Sequence, residues 1–261
     1  MRGGSGATAG VLTAEGAPGA VCYHPVMELY RLLQQQGFGG RKECKQLIEY
    51  GLVELNGEIV DNYRQQVELA DIRQLVVDDK PWDVVSGPLY LLFHKPPNYE
   101  TSHKPQHNPG IYRLLPYQFG NLGITAVGRL DVDTTGLILL TNDGQFVHAL
   151  SSPKKQVPKC YQVTLKHAAS EEFIAKLQTG VYLNDEGEEF AADSIEQLDS
   201  HVILLTITQG KYHQVKRMVA AASNRVEQLH RTSLGSVELG ELPQGEWRHL
   251  SAEELAGLGW S

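Results

Sequence analysis

The apolar run from Gly136 to Thr141 constrains the fold more than any other feature. Its six residues, GLILLT, carry no charge and are followed by the turn Asn142-Asp143-Gly144. A short apolar run without alternation, next to turn signals, is typical of a strand buried on both faces. Such a strand needs a layered sheet around it. The chain has 261 residues, of which 41% are hydrophobic, and this is enough for one large or two smaller domains.

Other patterns predict the neighbours of this strand. The prolines Pro96 and Pro97 end a buried-type strand. Two more segments are typical of strands, and in one of them, residues 160–165, apolar and polar residues alternate. Predicted helices lie between them. In chain order these segments are a strand at 89–95, a helix at 144–150, a strand at 160–165, a helix at 170–180, a strand at 201–208 and a helix at 212–220. Helices and strands alternate irregularly, so we predict an α+β fold with a mixed, mostly antiparallel sheet flanked by helices.

A separate module is predicted over residues 27–86. Leucines recur at helical spacing from Leu29, and a second helix covers Arg41–Glu49. The sequence LVELNGEIV then reads as two strands joined by Asn56-Gly57, a strong hairpin signal. Two short helices followed by a hairpin resemble the S4 domain, an RNA-binding module. The proline-flanked stretch 80–88 reads as the linker to the second domain, residues 87–261.

The S4 resemblance implies that the second helix faces RNA. Its basic residues lie largely opposite the apolar face formed by Cys44, Leu47 and Ile48. Residue type alone also fits an ordinary solvated helix face. The module holds seven basic and eleven acidic residues, so it is acidic for an RNA-binding unit. The residues expected to contact phosphate are Arg41, Lys42 and Lys45.

Residues 1–26 are predicted to be a disordered tail. They are rich in glycine and alanine, lack a periodic pattern and lack the basic start and apolar centre of a secretory signal. We expect Met27 to be the natural start. No apolar run approaches the ~18 residues that a membrane helix needs. Three scattered cysteines favour a reducing compartment, so a cytoplasmic protein is predicted.

The charge is unevenly distributed. The chain carries 23 Lys and Arg against 31 Asp and Glu, a net charge of −8, which by itself argues weakly against a nucleic-acid ligand. Segment 205–231 nevertheless holds five basic residues and one acidic residue. We expect this segment to contact RNA phosphates, with help from Lys154, Lys155 and Lys159.

Several familiar chemistries lack their motifs in this sequence. There is no phosphate-binding GxxxxGK[ST], no GxGxxG after a strand, no HExxH and no GxSxG. His94, His103 and His107 lack acidic or thiol partners at metal-ligand spacing, so a solvated loop over 98–110 is the better interpretation. We therefore predict a reaction that needs neither metal nor cofactor.

Three elements together resemble a known family. They are GRLDVDTTGLILLTNDG, the strand that begins at Lys159, and GKYHQVKRM. They are similar to the pseudouridine synthases, and most of all to the RsuA family, which modifies a uridine of small-subunit ribosomal RNA. The resemblance covers nearly everything from Leu29 onward. It implies an isomerase that converts uridine to pseudouridine by base flipping.

The resemblance also implies roles for individual residues. Asp131 takes the place of the nucleophilic aspartate, and Lys216 that of the cation that keeps it ionised. Arg129 takes the place of the arginine that fills the gap left by the flipped base, and Tyr161 that of the tyrosine that packs on uracil. Arg217 is an adjacent alternative to Lys216, but it points about 100° away around the helix. Lys211 is expected to touch phosphate.

Alternatives stay open for several of these residues. Asp131 can add to the ribose C1′, deprotonate the sugar or add to the base. Arg129 also fits a plain phosphate contact, and Tyr161 fits an ordinary core aromatic. Asp133 is expected to be structural, bonded to Thr135 or to backbone.

The predicted function is isomerisation of one uridine in 16S ribosomal RNA. The expected partner is that RNA or a small-subunit assembly intermediate, and a monomer is the default. A non-catalytic RNA-binding protein and a glycosidase-like hydrolase are the competing hypotheses. Binding alone does not need Asp131, and a hydrolase would release free base.

Overall fold

The computed structural model describes residues 26–260. The predicted tail over 1–26 lies outside the described residues, except for Val26. The helices are α1 (Leu29–Gln35), α2 (Arg41–Glu49), α3 (Tyr117–Asn121), α4 (Gly144–Ser151), α5 (Glu171–Thr179), α6 (Gln214–Ala221) and α7 (Ala252–Gly257). Short 3-10 helices cover Leu69–Asp71, Ile111–Leu114 and Pro153–Lys155. Within residues 26–260, no helix has the length and apolar character of a membrane span.

The strands divide between two modules. Those of the first are β1 (Met27–Glu28), β2 (Val53–Leu55), β3 (Glu58–Ile59), β4 (Gln66–Val67), β5 (Leu75–Val77) and β6 (Lys80–Trp82). Those of the second are β7 (Tyr90–Lys95), β8 (Thr125–Ala126), β9 (Thr135–Thr141), β10 (Lys159–Leu165), β11 (Val181–Leu183), β12 (Glu188–Phe190), β13 (Ser194–Asp199), β14 (Val202–Ile207), β15 (Val226–Leu234), β16 (Val237–Glu238) and β17 (Trp247–His249).

The first module has the predicted order of two helices and a hairpin. Helices α1 and α2 pack their apolar sides against a four-stranded sheet in the order β3-β2-β5-β6. Asn56 and Gly57 join β2 to β3 with φ values of 52° and 86°. Both residues have positive φ, as the tight turn of a two-residue hairpin requires. The predicted Asn-Gly hairpin is therefore confirmed.

The linker begins later than the sequence predicted. Lys80–Trp82 is the edge strand β6, antiparallel to β5, and not part of a linker. Pro81 misled the prediction because an edge strand tolerates a residue without an N–H group. The ring of Trp82 packs 5.6 Å from that of Phe38 and 5.7 Å from that of Phe119 in the second module. The two modules therefore share an aromatic contact.

The second module is built on one mixed sheet. Its main path runs β13-β14-β10-β15-β9-β7-β17, with β16 on β15 and β8 on β9. The β9–β15 pair is parallel, and the other pairs of this sheet are antiparallel. The predicted mixed, mostly antiparallel sheet is confirmed.

Strand β9 is buried on both faces, as its sequence predicted. Ile138 and Leu140 point into the core cluster on one face, which includes residues of α5 and α6. Leu137 and Leu139 point into the cluster on the other, which includes residues of α4 and α7. Helices on both faces explain why this strand reads as continuously apolar.

Gly136 lets β9 approach β15 closely. Its φ is 106°, and a Cβ atom at this position would collide with the backbone carbonyl oxygen of Arg231. Gly136 pairs with Arg231 in the parallel ladder. A glycine is therefore needed where the chain enters β9, immediately after the polar loop that contains Asp131.

Candidate active site

The polar loop 129–134 precedes β9 at the edge of a cleft. The Asp131 side chain is 28% exposed, and its backbone carbonyl accepts a hydrogen bond from Thr134 N at 3.1 Å. This agrees with the prediction that Asp131 lies on a loop leading into a buried strand. A rigid strand at the end of a short loop limits how far Asp131 can move.

Two basic side chains contact the Asp131 carboxylate. His213 Nε2 lies 3.3 Å from Oδ1, and Lys216 Nζ lies 3.3 Å from Oδ2. Each carboxylate oxygen thus faces a different nitrogen. The predicted pairing of Lys216 with Asp131 is present. The contribution of His213 was missed by sequence reasoning, although it lies three residues before Lys216 in GKYHQVKRM.

Lys216 also holds Asp133. Lys216 Nζ donates to Asp133 Oδ1 at 2.6 Å. Of the two partners predicted for Asp133, the backbone is confirmed, because the carboxylate accepts a hydrogen bond from its own backbone N–H. The Thr135 hydroxyl instead lies 2.8 Å from Nδ1 of His230. Burial lowers the pKa of Lys216, but its hydrogen bonds and the charges of the two aspartates outweigh that effect and raise the pKa above its ordinary value. Lys216 therefore stays charged beside Asp131.

Helix α6 begins later than predicted. The sequence predicted a helix from Tyr212, whereas α6 begins at Gln214. His213 precedes it in the left-handed conformation, with φ 47° and ψ 33°, which a helix cannot continue. This turn places Tyr212 and His213 outside the helix. Lys216 lies on the first turn of α6, from which it reaches Asp131.

A buried lysine, missed in the sequence, lies beneath the loop. Lys95, at the end of β7, is fully buried. Its Nζ donates to the carbonyls of Pro96, Val132 and Thr134 at 3.1, 3.1 and 2.8 Å. Burial lowers its pKa to about 8. A lysine at the end of an otherwise apolar strand was the signal that could have revealed it.

Two further hydrogen bonds hold the loop from the side. The Thr101 hydroxyl donates to the Leu130 carbonyl at 3.0 Å. The backbone N–H of Asn98 donates to the Val132 carbonyl at 2.8 Å. The carbonyls on both sides of Asp131 are thus bonded. Carbonyls with hydrogen-bond partners keep one backbone conformation, so the loop holds Asp131 in one position.

The cleft beside Asp131 is wide enough for a single nucleotide. Its volume is about 420 Å³, within the ~300–1,000 Å³ of small-molecule sites. Arg129, Tyr161 and Lys159 line it together with Asp131. Buried apolar side chains, Ile207 among them, complete its wall. The structure therefore brings together at one cleft residues that the sequence places far apart.

Two of the basic residues expected to contact phosphate form hydrogen bonds within the protein. Arg231 is 2% exposed and donates from Nε to the Leu137 carbonyl at 2.7 Å, so this hydrogen bond joins its side chain to strand β9. Lys159 donates to the carbonyls of Val157 and Thr208 at 2.8 and 3.1 Å. Burial lowers the pKa of Lys159 to about 8, with the charge of Arg231 as a second cause. Lys159 therefore belongs to the cleft wall.

Lys211 and Arg217 are paired with an acidic hairpin. Glu186, in the turn between β11 and β12, accepts from Arg217 Nη2 at 2.7 Å and lies 3.1 Å from Lys211 Nζ. Glu188 lies 3.6 Å from the same Lys211 nitrogen. The two basic side chains therefore contact carboxylates of the hairpin, and Arg217 does not contact Asp131. Their predicted roles toward substrate remain predictions.

The predicted RNA face of α2 lies beside two tyrosines. Lys45 Nζ is 4.0 Å from the ring centre of Tyr63 and 5.2 Å from that of Tyr30. The Arg41 guanidinium lies 5.3 Å from the Tyr30 ring. Cation–π contact orients both charges without neutralising them. Lys42 is exposed, as are Lys154 and Lys155 near the cleft.

Residues 26–260 contain no cluster of three or more His, Cys, Asp and Glu side chains that could hold a metal ion. His94 lies in β7, with its Nδ1 2.6 Å from the Leu242 carbonyl and its ring 5.4 Å from that of His230. His103 stacks on Tyr112 at 3.7 Å.

Comparison with known proteins identifies the family. The pattern described as RNA pseudouridylate synthase matches residues 89–221, and the S4 domain matches residues 29–72. The chain belongs to the pseudouridine synthase family. It is therefore an isomerase with an S4 domain in front of its catalytic domain.

Relatives match over nearly the whole chain. Ribosomal small subunit pseudouridine synthase A of Pasteurella multocida is 38% identical, over 88% of this chain and 98% of the relative. The uncharacterized RNA pseudouridine synthase YtzG of Bacillus subtilis is 40% identical, over 88% of this chain and 97% of its own. A crystal structure of a pseudouridylate synthase superposes with a TM-score of 0.63 at 36% identity, over 89% of this chain and 99% of that one.

Proposed function

We propose that this pseudouridine synthase isomerises one uridine of small-subunit (16S) ribosomal RNA. The observation that carries the proposal is the pair of contacts that bracket Asp131, from His213 and Lys216 at 3.3 Å each, at the edge of a nucleotide-sized cleft. The names of relatives such as the Pasteurella multocida enzyme support the small-subunit target. An RNA substrate also agrees with the S4 domain.

We assign Asp131 as the nucleophile of the reaction. The isomerisation breaks the bond from N1 to C1′ and forms one from C5 to C1′, while a proton leaves C5 and another reaches N1. No atom enters or leaves overall, so the reaction calls for no co-reactant. An ionised carboxylate can add to C1′, remove a sugar proton or add to the base. Lys216 Nζ, 3.3 Å from one oxygen of Asp131, lies beside the carboxylate in each case.

The cleft wall supports a flipped base. Tyr161 is 8% exposed and presents its aromatic ring from β10, where uracil can stack on it. Arg129 is exposed at the same cleft, where its planar guanidinium can fill the gap in the RNA helix. Base flipping costs a few kcal/mol. Phosphate contacts from the S4 domain and from Lys154 and Lys155 offset that cost.

The largest effect is expected for Asp131→Asn. This substitution keeps the shape but removes the negative charge, so we expect isomerisation to fall by at least about a thousandfold while RNA affinity stays within about twofold. Pseudouridine is mapped in ribosomal RNA from cells with and without the gene, by carbodiimide modification and primer-extension stops. The intact gene, and not the variant, should restore one stop in 16S RNA.

Other outcomes of this experiment reject separate parts of the proposal. Restoration by Asp131→Asn excludes the residue as nucleophile. A lost stop in 23S RNA keeps the enzyme but moves its target. Free uracil released by purified protein would indicate a hydrolase. If no ribosomal RNA changes, transfer RNA is the next substrate class, and a non-catalytic RNA-binding role becomes the competing explanation.

A further inference from the structure

Tyr212 exposes an aromatic ring beside the candidate active site. Its side chain is 75% exposed, the largest value among the exposed large hydrophobic residues of the described chain. It directly precedes His213, whose Nε2 contacts Asp131. A ring this exposed buries little apolar area, so packing of the fold does not explain its position.

The backbone holds the two rings together. His213 has the left-handed conformation, with φ 47° and ψ 33°, which L-residues other than glycine rarely adopt. The rings of Tyr212 and His213 stack at 3.8 Å with 19° between their planes. One face of Tyr212 is therefore covered by His213, and the high exposure of the side chain leaves the other face to solvent.

The side chains around Tyr212 are of the kind that bind single-stranded RNA. The cleft beside it is lined by the exposed basic side chain of Arg129, and the exposed Lys154 and Lys155 lie near it. Proteins bind single-stranded RNA by combining positive charge along the backbone with aromatic faces on which bases stack. A flipped uridine leaves its neighbours with an unstacked face. Tyr212, outside the cleft that would take the uracil, offers such a neighbour a new surface.

We propose that Tyr212 stacks on the base of a nucleotide adjacent to the target uridine. This inference rests on the RNA substrate of the proposed function and adds a second nucleotide to the recognised segment. His213 supports the ring from behind and sets its orientation. Stacking needs only a flat base, so the contact tolerates any base at that position and requires only that one be present.

A kinetic experiment with abasic RNA tests the contact. Tyr212→Ala and Tyr212→Phe are compared with wild type on a 16S transcript fragment and on versions lacking the base before or after the target. In wild type, one of the two abasic changes should raise KM about tenfold, as expected for loss of one stacked base. Tyr212→Ala should raise KM about tenfold on intact RNA. For this variant, removal of the same base should cause no further rise in KM. Tyr212→Phe should behave like wild type.

The matched control is Tyr182→Ala. Tyr182 is also exposed, at 55%, on strand β11, outside the residues that line the cleft. Its substitution should leave KM unchanged, and thermal melting should show all variants folded. If Tyr212→Ala and both abasic changes act additively, the proposal is rejected. A lower kcat with unchanged KM also rejects it, because Tyr212 then acts only through His213 on Asp131.

A binding measurement separates this proposal from the proposed target. Fragments carrying 2-aminopurine before or after the uridine are titrated with wild type and with Tyr212→Ala. Fluorescence should be quenched at one position by wild type and remain at least about twofold brighter with the variant. This readout needs no turnover. Quenching without product therefore supports stacking by Tyr212 and rejects the 16S uridine as the target. Product without quenching at either neighbour supports that target and rejects the stacking.

Discussion

The S4 domain and the candidate active site hold their positive charges in opposite ways. On α2, Arg41 and Lys45 lie over the rings of Tyr30 and Tyr63, and neither forms an ion pair within the described residues. Around the cleft, Lys216 is paired with carboxylates and Lys95 with carbonyls.

The difference indicates two uses of charge. An exposed cation without a carboxylate partner remains available for phosphate, and its binding energy depends on salt. A cation held by fixed acceptors is already neutralised or desolvated, so it positions its neighbours and gains little from a new phosphate. We therefore expect the first group to control affinity and the second to control turnover.

The sharpest test of this division is Lys216→Met. The change removes the charge beside Asp131 and leaves its carboxylate beside Asp133 without a common cation. We expect kcat to fall about a hundredfold and the RNA dissociation constant to change less than twofold. Lys216→Arg is the charge-retaining control and should recover much of the activity. If instead affinity falls and kcat is preserved, Lys216 acts like the S4 cations and the division fails.

The converse test combines Arg41→Ala with Lys45→Ala. Removing two phosphate contacts should weaken RNA binding about tenfold and reduce the salt slope of log Kd by about 1.4–1.8, while kcat at saturating RNA stays constant. Filter binding at several salt concentrations measures both quantities. Arg73→Ala is the matched control, since Arg73 is an exposed cation of the same domain. A salt slope equal to that of wild type would remove Arg41 and Lys45 from the RNA interface.

A smaller effect is expected from pH. The buried Lys95 ammonium donates to three carbonyls, but a neutral amine has only two N–H groups. Because its pKa is about 8, we expect kcat to fall about threefold as pH rises from 7 to 9. Single-turnover rates across this range measure it. Lys159 also has a pKa of about 8, so Lys159→Met is the control. This variant should show the same fall in rate between pH 7 and 9 as wild type.

The contribution of Lys95 to stability should rise with pH, whereas its contribution to kcat should fall. Its folded pKa lies below the ordinary 10.5, so the unfolded chain binds more protons between about pH 8 and 10.5. The contribution of this group to the free energy of unfolding therefore rises with pH in that window. If activity falls with pH while the contribution of Lys95 to the free energy of unfolding rises, the loss of activity comes from the loop around Asp131 and not from unfolding. A Lys95→Met variant with an unchanged alkaline limb would exclude Lys95 as its source.

Local patterns predicted much of the fold. Strand β9, the Asn56-Gly57 hairpin and helix α2 depend on burial pattern, turn chemistry and short-range periodicity, and all three are confirmed. Errors arose where tertiary context reversed a local signal. Pro81 lies harmlessly on an edge strand, and His213 adopts a left-handed turn that delays α6.

The candidate site was predicted in part. Arg129, Asp131 and Tyr161 line one cleft, and Lys216 reaches Asp131 from α6. Their chemical roles remain predictions. Charge type alone did not separate the buried Arg231 from the exposed Lys154, because both appear in the sequence as basic residues near the same elements.

The sequence by itself determined the family, the order of the two domains and the strand that carries the loop before it. These follow from contiguous motifs and local periodicity. Only the tertiary structure decided that His213 and Lys216 bracket Asp131, that Lys95 bonds the loop from below, and that Tyr212 has a free face. The reason is physical. Such contacts join residues distant in the chain, and they depend on sheet order, burial and backbone turns that no local pattern encodes.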